Sequence, residues 1–364
     1  MKYRIYTGTY TEEIHFASGK IVKGRGKGIY YLTLDTEKGK LEVSGVKDNI
    51  INPSYLTLSV DGKYLYAANE RKMSEGVYGG TVSAFQIDGE TGELTFLNKQ
   101  FTNGTDPCYV AVHPACVYVC NYGSGSLASY PIHEDGSLGE RRQFIQYEGK
   151  SVDKNRQAGP HAHSMVLFEE NQFALMCNLG TDRIEAYRIR EDGWLEPEER
   201  MSIVSALGAG PRHMEFSKDG RFLYVVNELN SSISVYTYDK AGKAFREQQT
   251  VPSVLDGYSG ENTCADIHVA EDGRFVFASN RGNSTIVCYR RGKDGNLIPV
   301  GQYTSGGQVP RSFLLTPDGK FLVAANQNSD SVTLFALEEN GGLRQLDEVL
   351  VYNPVCVKLD FMMN

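Results

Sequence analysis

Six polar residues of this chain stand beside Pro or Asn landmarks, and their types suggest hydrolytic chemistry. His161 and His163 stand two apart in Gly159-Pro160-His161-Ala162-His163-Ser164. Arg212 follows Gly210-Pro211, Glu228 follows Val226-Asn227, Arg281 follows Ser279-Asn280, and Arg311 follows Val309-Pro310. A histidine with an ordinary pKa of about 6.5 can take a proton from water at neutral pH. Arginine presents a planar fork of donors suited to carboxylate and phosphate. A carboxylate among arginines is driven toward a lower pKa, so Glu228 is a better positioner than base. A base, an oriented water and positive charge for an oxyanion are what hydrolysis of an activated ester requires. No Ser-His-Asp order, nucleophile elbow or phosphate loop accompanies these residues, and no acidic cluster supports a metal site.

Residues this far apart can act together only if the chain returns them to one place, and its repeats show how. The stretch from Gly210 to Glu228 reads as two short apolar strands joined by a tight Asp219-Gly220 turn. Related stretches begin at Asn52-Pro53-Ser54, Asp106-Pro107-Cys108, Gly159-Pro160-His161, Thr263-Cys264-Ala265 and Val309-Pro310-Arg311. The second strands end in Asn69, Asn121, Asn178, Asn227, Asn280 and Asn326, at intervals of roughly 50 residues. A polar loop, a third strand such as Ile233-Ser234-Val235-Tyr236, a Gly-rich turn and a weaker fourth strand follow. Four antiparallel strands per repeat make a propeller blade.

Six blades are complete. Asn353-Pro354-Val355-Cys356-Val357 matches a first strand with nothing after it, and residues 3–10 and 28–34 match a second and a third with nothing before them. Joined, they form another blade and remove the open sheet edges. The expectation is an all-β, seven-bladed β-propeller, one domain over residues 1–364, its last blade closed by the C-terminal strand together with N-terminal strands.

In that geometry the start of each first strand and the end of each second strand meet at one rim. The position after the proline reads Ser54, Cys108, His161, Arg212, Ala265, Arg311 and Val355, and His163 falls two further on, with Val110 and Met214. The residue after each asparagine reads Glu70, Tyr122, Leu179, Glu228, Arg281 and Gln327. The asparagines are expected chiefly to satisfy backbone groups where strands turn. Asn227, Asn280, Gln327 and His268 are candidate substrate contacts through their nearness to the charged positions. Long irregular segments at 11–27, 71–80, 147–158 and 252–262 all fall on the rim side, where loops border binding sites.

The remaining composition excludes more than it assigns. A net charge of −8 argues against nucleic-acid or membrane-surface binding. Seven irregularly placed cysteines, with no Cys-x-x-Cys pair, read as free thiols in a reducing cytoplasm. The chain opens directly on strand pattern, Tyr3-Arg4-Ile5-Tyr6, with no leader pattern and no apolar run long enough to span a bilayer.

These residues resemble the bacterial 6-phosphogluconolactonases of the seven-bladed propeller type and the related fungal carboxymuconate lactonising enzymes. The resemblance covers essentially the whole chain and is most specific in Gly159-Pro160-His161-Ala162-His163-Ser164, Gly210-Pro211-Arg212-His213, Val226-Asn227-Glu228-Leu229-Asn230 and Ala278-Ser279-Asn280-Arg281-Gly282. It implies an active site of His163, Arg212, Glu228 and Arg281; Arg311 and His161, from their place at the same rim, are further candidate substrate contacts. It also implies metal-free, cofactor-free hydrolysis of 6-phospho-D-glucono-1,5-lactone, a small anionic sugar lactone. The alternatives are a lactonase or cycloisomerase for a muconolactone, a calcium-dependent sugar lactonase, and a non-catalytic interaction scaffold. The Trp-Asp and Gly-His signatures of scaffold propellers are absent from the chain.

Overall fold

The second strand of each repeat explains the architecture. Phe222–Asn227 is apolar at every position until its last, so both of its faces must be buried. Leu223 and Val225 pack with Leu175 and Cys177 of the preceding repeat. Tyr224 and Val226 pack with Ile267 and Val276 of the following one. Successive side chains of a strand point to opposite faces, so each sheet is glued on both sides to a neighbouring sheet. The apolar core is accordingly divided into clusters that straddle adjacent sheets.

In the computed structural model, residues 1–15, 19, 21–255 and 257–360 are described. They form seven antiparallel sheets, six of four strands and one with a short fifth, and two small hairpins besides. Blades 1 to 6 occupy residues 53–101, 107–146, 162–204, 211–252, 264–304 and 310–350. Blade 7 is ordered Pro354–Asp360, Lys2–Thr9, Gly28–Asp35, Lys40–Asp48, so the C-terminal strand is innermost beside N-terminal strands. The innermost strands touch in cyclic succession, with Pro354–Asp360 against Pro53–Leu58, which closes the seven-bladed ring. Parts of the 11–27 and 252–262 segments, namely residues 16–18, 20 and 256, lie outside the described residues. Among the described residues no helix is long and apolar enough to cross a membrane.

A second recurring device locks blades together at their outer turns. Tyrosines of four second strands, Tyr6, Tyr66, Tyr118 and Tyr224, donate to the carbonyls of Gly92, Gly136, Gly193 and Gly295 in the next blade, at 2.8, 3.0, 2.8 and 3.0 Å. Gly295 has φ +85°, and a Cβ there would stand 2.2 Å from the Phe222 ring. Only glycine meets both conditions.

Each innermost strand begins with a bulge. Pro53, Pro107, Pro211 and Pro310 pair with Asn69, Asn121, Asn227 and Asn326, and the ladder then skips Ser54, Cys108, Arg212 and Arg311. A bulge re-aims the extra side chain, here toward the axis. Blade 3 corrects the repeat alignment. Ala162, not Pro160, pairs with Asn178, and the skipped residue is His163. Pro160 lies outside the ladder, and the His161 N–H is held instead by Asn178 Oδ1 at 2.9 Å. His163 is therefore the counterpart of Arg212, while His161 stands above it on the incoming loop.

Candidate active site

The bulges deliver Ser54, Cys108, His163, Arg212, Arg311 and Val355 to the axis, and the residues after the second-strand asparagines surround them from outside. Glu228 is the focus. Its Oε2 accepts from Arg212 Nε at 2.9 Å and from Arg281 Nη2 at 2.8 Å. Its Oε1 accepts from Arg156 Nη2 at 2.5 Å. Burial alone would raise the Glu228 pKa, but Arg281, Arg156 and Arg212 outweigh it and hold the carboxyl well below its usual range. The arginines have further anchors: Arg212 Nη1 donates to Ala265 O at 2.5 Å and Arg281 Nη2 to Cys264 O at 2.9 Å.

His163 is buried beside this cluster, its ring 5.6 Å from that of Tyr122 and 5.3 Å from that of His213. The Cys108 thiol donates to the His163 carbonyl at 3.4 Å, fixing the bulge. Burial, reinforced by Arg212 and His213, holds the His163 pKa well below 6.5, so the imidazole is neutral. His161 stacks on Tyr122 with centroids 4.4 Å apart and shares its Nδ1 with the Tyr122 carbonyl at 2.8 Å. Burial, with Arg156 nearby, lowers its pKa as well.

The other side of the mouth is acidic. Tyr10 donates to Glu70 Oε2 at 3.1 Å, and the Arg311 guanidinium lies 5.6 Å from the centre of the Tyr10 ring. Burial, and then the charge of Glu70, push Asp106 up to about 7. Beside Arg212 and Arg311 lies a cavity of about 10 Å³, the scale of one water. Ser54, Cys108, Arg212, His213 and Arg311 are among its lining residues.

The expected residues divide into three groups. His163, Arg212, Glu228 and Arg281 share one mouth, with His161 and Arg311 on its flanks. Asn227 and Asn280 turn into their blades: Asn227 Nδ2 donates to Ser232 and Ser234, and Asn280 Nδ2 to the Ser253 carbonyl at 2.7 Å. Gln327, also buried, donates to Asn328 Oδ1 at 3.0 Å. His268 lies deeper in the channel, where its Nδ1 meets Glu215 at 2.7 Å and its Nε2 meets Asp266 at 3.3 Å. Burial would lower the His268 pKa, but Asp266 and Glu215 raise it to about 10. Asp266 also takes His213 Nδ1 at 2.8 Å.

Repeat reasoning missed Arg156, because it belongs to the 147–158 insertion and has no counterpart in other blades. The one available signal was its place in a rim-side insertion rich in charge. Among the described residues no group of three His, Cys, Asp or Glu is placed to hold a metal ion.

Comparison with known proteins agrees with this architecture. The family model described as "Lactonase, 7-bladed beta-propeller" matches residues 4–359. A 6-phosphogluconolactonase of Bacillus subtilis is 34% identical over 362 residues, 98% of each chain. Another, of Formosa agariphila, is 32% identical over 344 residues, 91% of this chain and 94% of its own. The solved structure of the periplasmic gluconolactonase of Pseudomonas aeruginosa matches with a TM-score of 0.88 at 28% identity, over 100% of both chains.

Proposed function

The chain belongs to the seven-bladed β-propeller lactonase family, and from that premise we propose that it hydrolyses 6-phospho-D-glucono-1,5-lactone to 6-phosphogluconate. The reaction class is carboxylic ester hydrolysis. The observation that carries the substrate is the charge of the mouth. Four guanidinium groups, those of Arg156, Arg212, Arg281 and Arg311, outnumber the acidic side chains of the mouth, Glu228, Glu70 and Asp106, the last pushed up to about 7. The surplus positive charge suits an anionic sugar lactone rather than a neutral one.

In this reading His163 takes a proton from water as the oxygen attacks the lactone carbonyl carbon. Arg212 and Arg281 stabilise the oxyanion that forms, and Glu228 holds both in place. Collapse breaks the bond to the ring oxygen, which receives the proton back from His163 and becomes the free hydroxyl. A depressed pKa makes His163 a modest base but its conjugate acid a good donor to that leaving oxygen. We place the enzyme in the cytoplasm, as a single propeller over residues 1–364. The seven free, buried cysteines support a reducing compartment.

The test is lactone hydrolysis with and without the 6-phosphate, in chelator, corrected for the spontaneous reaction. Phosphate-dependent turnover is expected, and His163→Gln should lower kcat by about 10²- to 10⁴-fold with its fold intact. Turnover indifferent to the phosphate rejects the substrate. Wild-type turnover by His163→Gln rejects the base.

A further inference from the structure

Three arginines share one carboxylate, but they are not held alike. Arg212 and Arg281 are each tied to a backbone carbonyl as well as to Glu228. Arg156 has no such tie: its Nη2 serves both Glu228 Oε1 and the Tyr122 hydroxyl, the latter at 3.2 Å. Its Nε is buried and without a hydrogen-bond partner, as is that of Arg281, whose Nη2 is nonetheless pinned to a carbonyl. The Arg156 side chain is 17% exposed, against 14% for Arg281 and 3% for Arg212, so the carbonyl ties rather than depth set Arg156 apart from Arg281.

The loop beneath Arg156 is, by contrast, firmly set. Asp153 Oδ1 accepts the N–H groups of Asn155 at 2.8 Å and of Arg156 at 3.1 Å. Gln157 Nε2 donates to Leu179 O at 2.9 Å and to Asp182 Oδ1 at 2.8 Å, and Ser151 donates to Asp182 Oδ2 at 2.5 Å. A long side chain on a fixed backbone can exchange one anion for another, which a guanidinium pinned to carbonyls cannot do. A phosphate monoester also brings close to two negative charges to a site where one carboxylate faces three guanidinium groups.

We propose that Arg156 selects the phosphorylated lactone. It leaves Glu228 Oε1 for the phosphate oxygens and engages them with its planar fork, its unpaired Nε included, while Arg212 and Arg281 keep Oε2. No bond is made or broken, and the exchange is one ion pair for another. This inference rests on the lactonase reading above and names the residue that recognises the 6-phosphate.

The experiment compares 6-phosphogluconolactone with glucono-1,5-lactone on wild type, Arg156→Gln and Arg156→Lys, with inorganic phosphate as inhibitor. Arg156→Gln is expected to raise KM for the phosphorylated lactone about 10- to 100-fold with kcat within about threefold. Its KM for the unphosphorylated lactone should rise by a much smaller factor than that for the phosphorylated one, and inhibition by phosphate should be lost. Arg156→Lys should show a smaller rise of the same kind, and it is read in place of Arg156→Gln if that variant does not fold. Equal effects on both lactones, or none on either, overturn the assignment while leaving a phosphate-dependent wild type intact. A wild type indifferent to the phosphate overturns this assignment and the substrate reading together.

Discussion

The imidazole of His163 is kept neutral by what surrounds it. Burial favours the uncharged form, and Arg212, His213 and Arg311 push the same way, against Glu228 alone. The sign of the consequence is fixed. With the pKa held well below 6.5, the neutral, proton-accepting form persists as pH falls through 6.5. The acid limb of kcat/KM is therefore expected well below the ordinary histidine range. A limb at or above the ordinary histidine range, in a pH–rate profile corrected for spontaneous lactone opening, would contradict His163 as the base. His268 shows that residue type does not decide this. The same side chain between Asp266 and Glu215 is raised to about 10 and stays charged at neutral pH.

At the scale of the strand pair, two backbone devices do separate work. The bulge at the head of each innermost strand turns one side chain out of the ladder and toward the axis, which is how blades 3 and 4 contribute His163 and Arg212. The tyrosine-to-glycine latch holds the opposite, outer end of the blade. Tyr224→Phe leaves the buried Gly295 carbonyl without its donor and is expected to cost about 1–2 kcal/mol. Gly295→Ala should cost more, because φ is +85° and the new methyl meets the Phe222 ring. Both are read from the midpoint of thermal unfolding, with kcat unchanged because the latch lies far from the mouth. An Ala variant as stable as wild type would remove the argument.

For the whole molecule, the decisive feature is closure. Pro354–Asp360 pairs with Lys2–Thr9, so the two ends of the chain share one sheet. Arg4 Nη1 meets Asp360 Oδ2 across that seam at 2.9 Å, with side-chain exposures of 7% and 0%. Arg4 also donates to the Glu90 carbonyl of blade 1 at 3.1 Å, tying the seam to its neighbour. Arg4→Ala removes the guanidinium that bridges Asp360 and the Glu90 carbonyl across the seam, and losing a hydrogen bond to a charged group costs about 1.5–3 kcal/mol. Denaturant unfolding of Arg4→Ala should show that loss. A change of a few tenths would mean that the seam is held by its strand ladder and not by charge.

The repeats in the sequence were sufficient for the ring. Apolar second strands with both faces buried, asparagines at regular intervals and half-blades at the two ends admit one closed arrangement, because only closure gives the N-terminal strands their missing first strand and the end blades a neighbour on both faces. They were also sufficient to bring Arg212, Glu228, Arg281 and Arg311 to a common end, since those positions recur at fixed places beside a Pro or an Asn. The register of blade 3 was not legible, because Gly159-Pro160 imitates the start of a strand and only the pairing of Ala162 with Asn178 shows that His163 is the bulged residue. The depth of His268 was not legible either. Being near in sequence to a strand start says nothing about its level along the channel, which the partners Asp266 and Glu215 reveal. Arg156 lies outside the repeat altogether. Where its guanidinium settles depends on the charge of Glu228, a residue 72 positions away, and that encounter exists only once blades 3 and 4 have packed together.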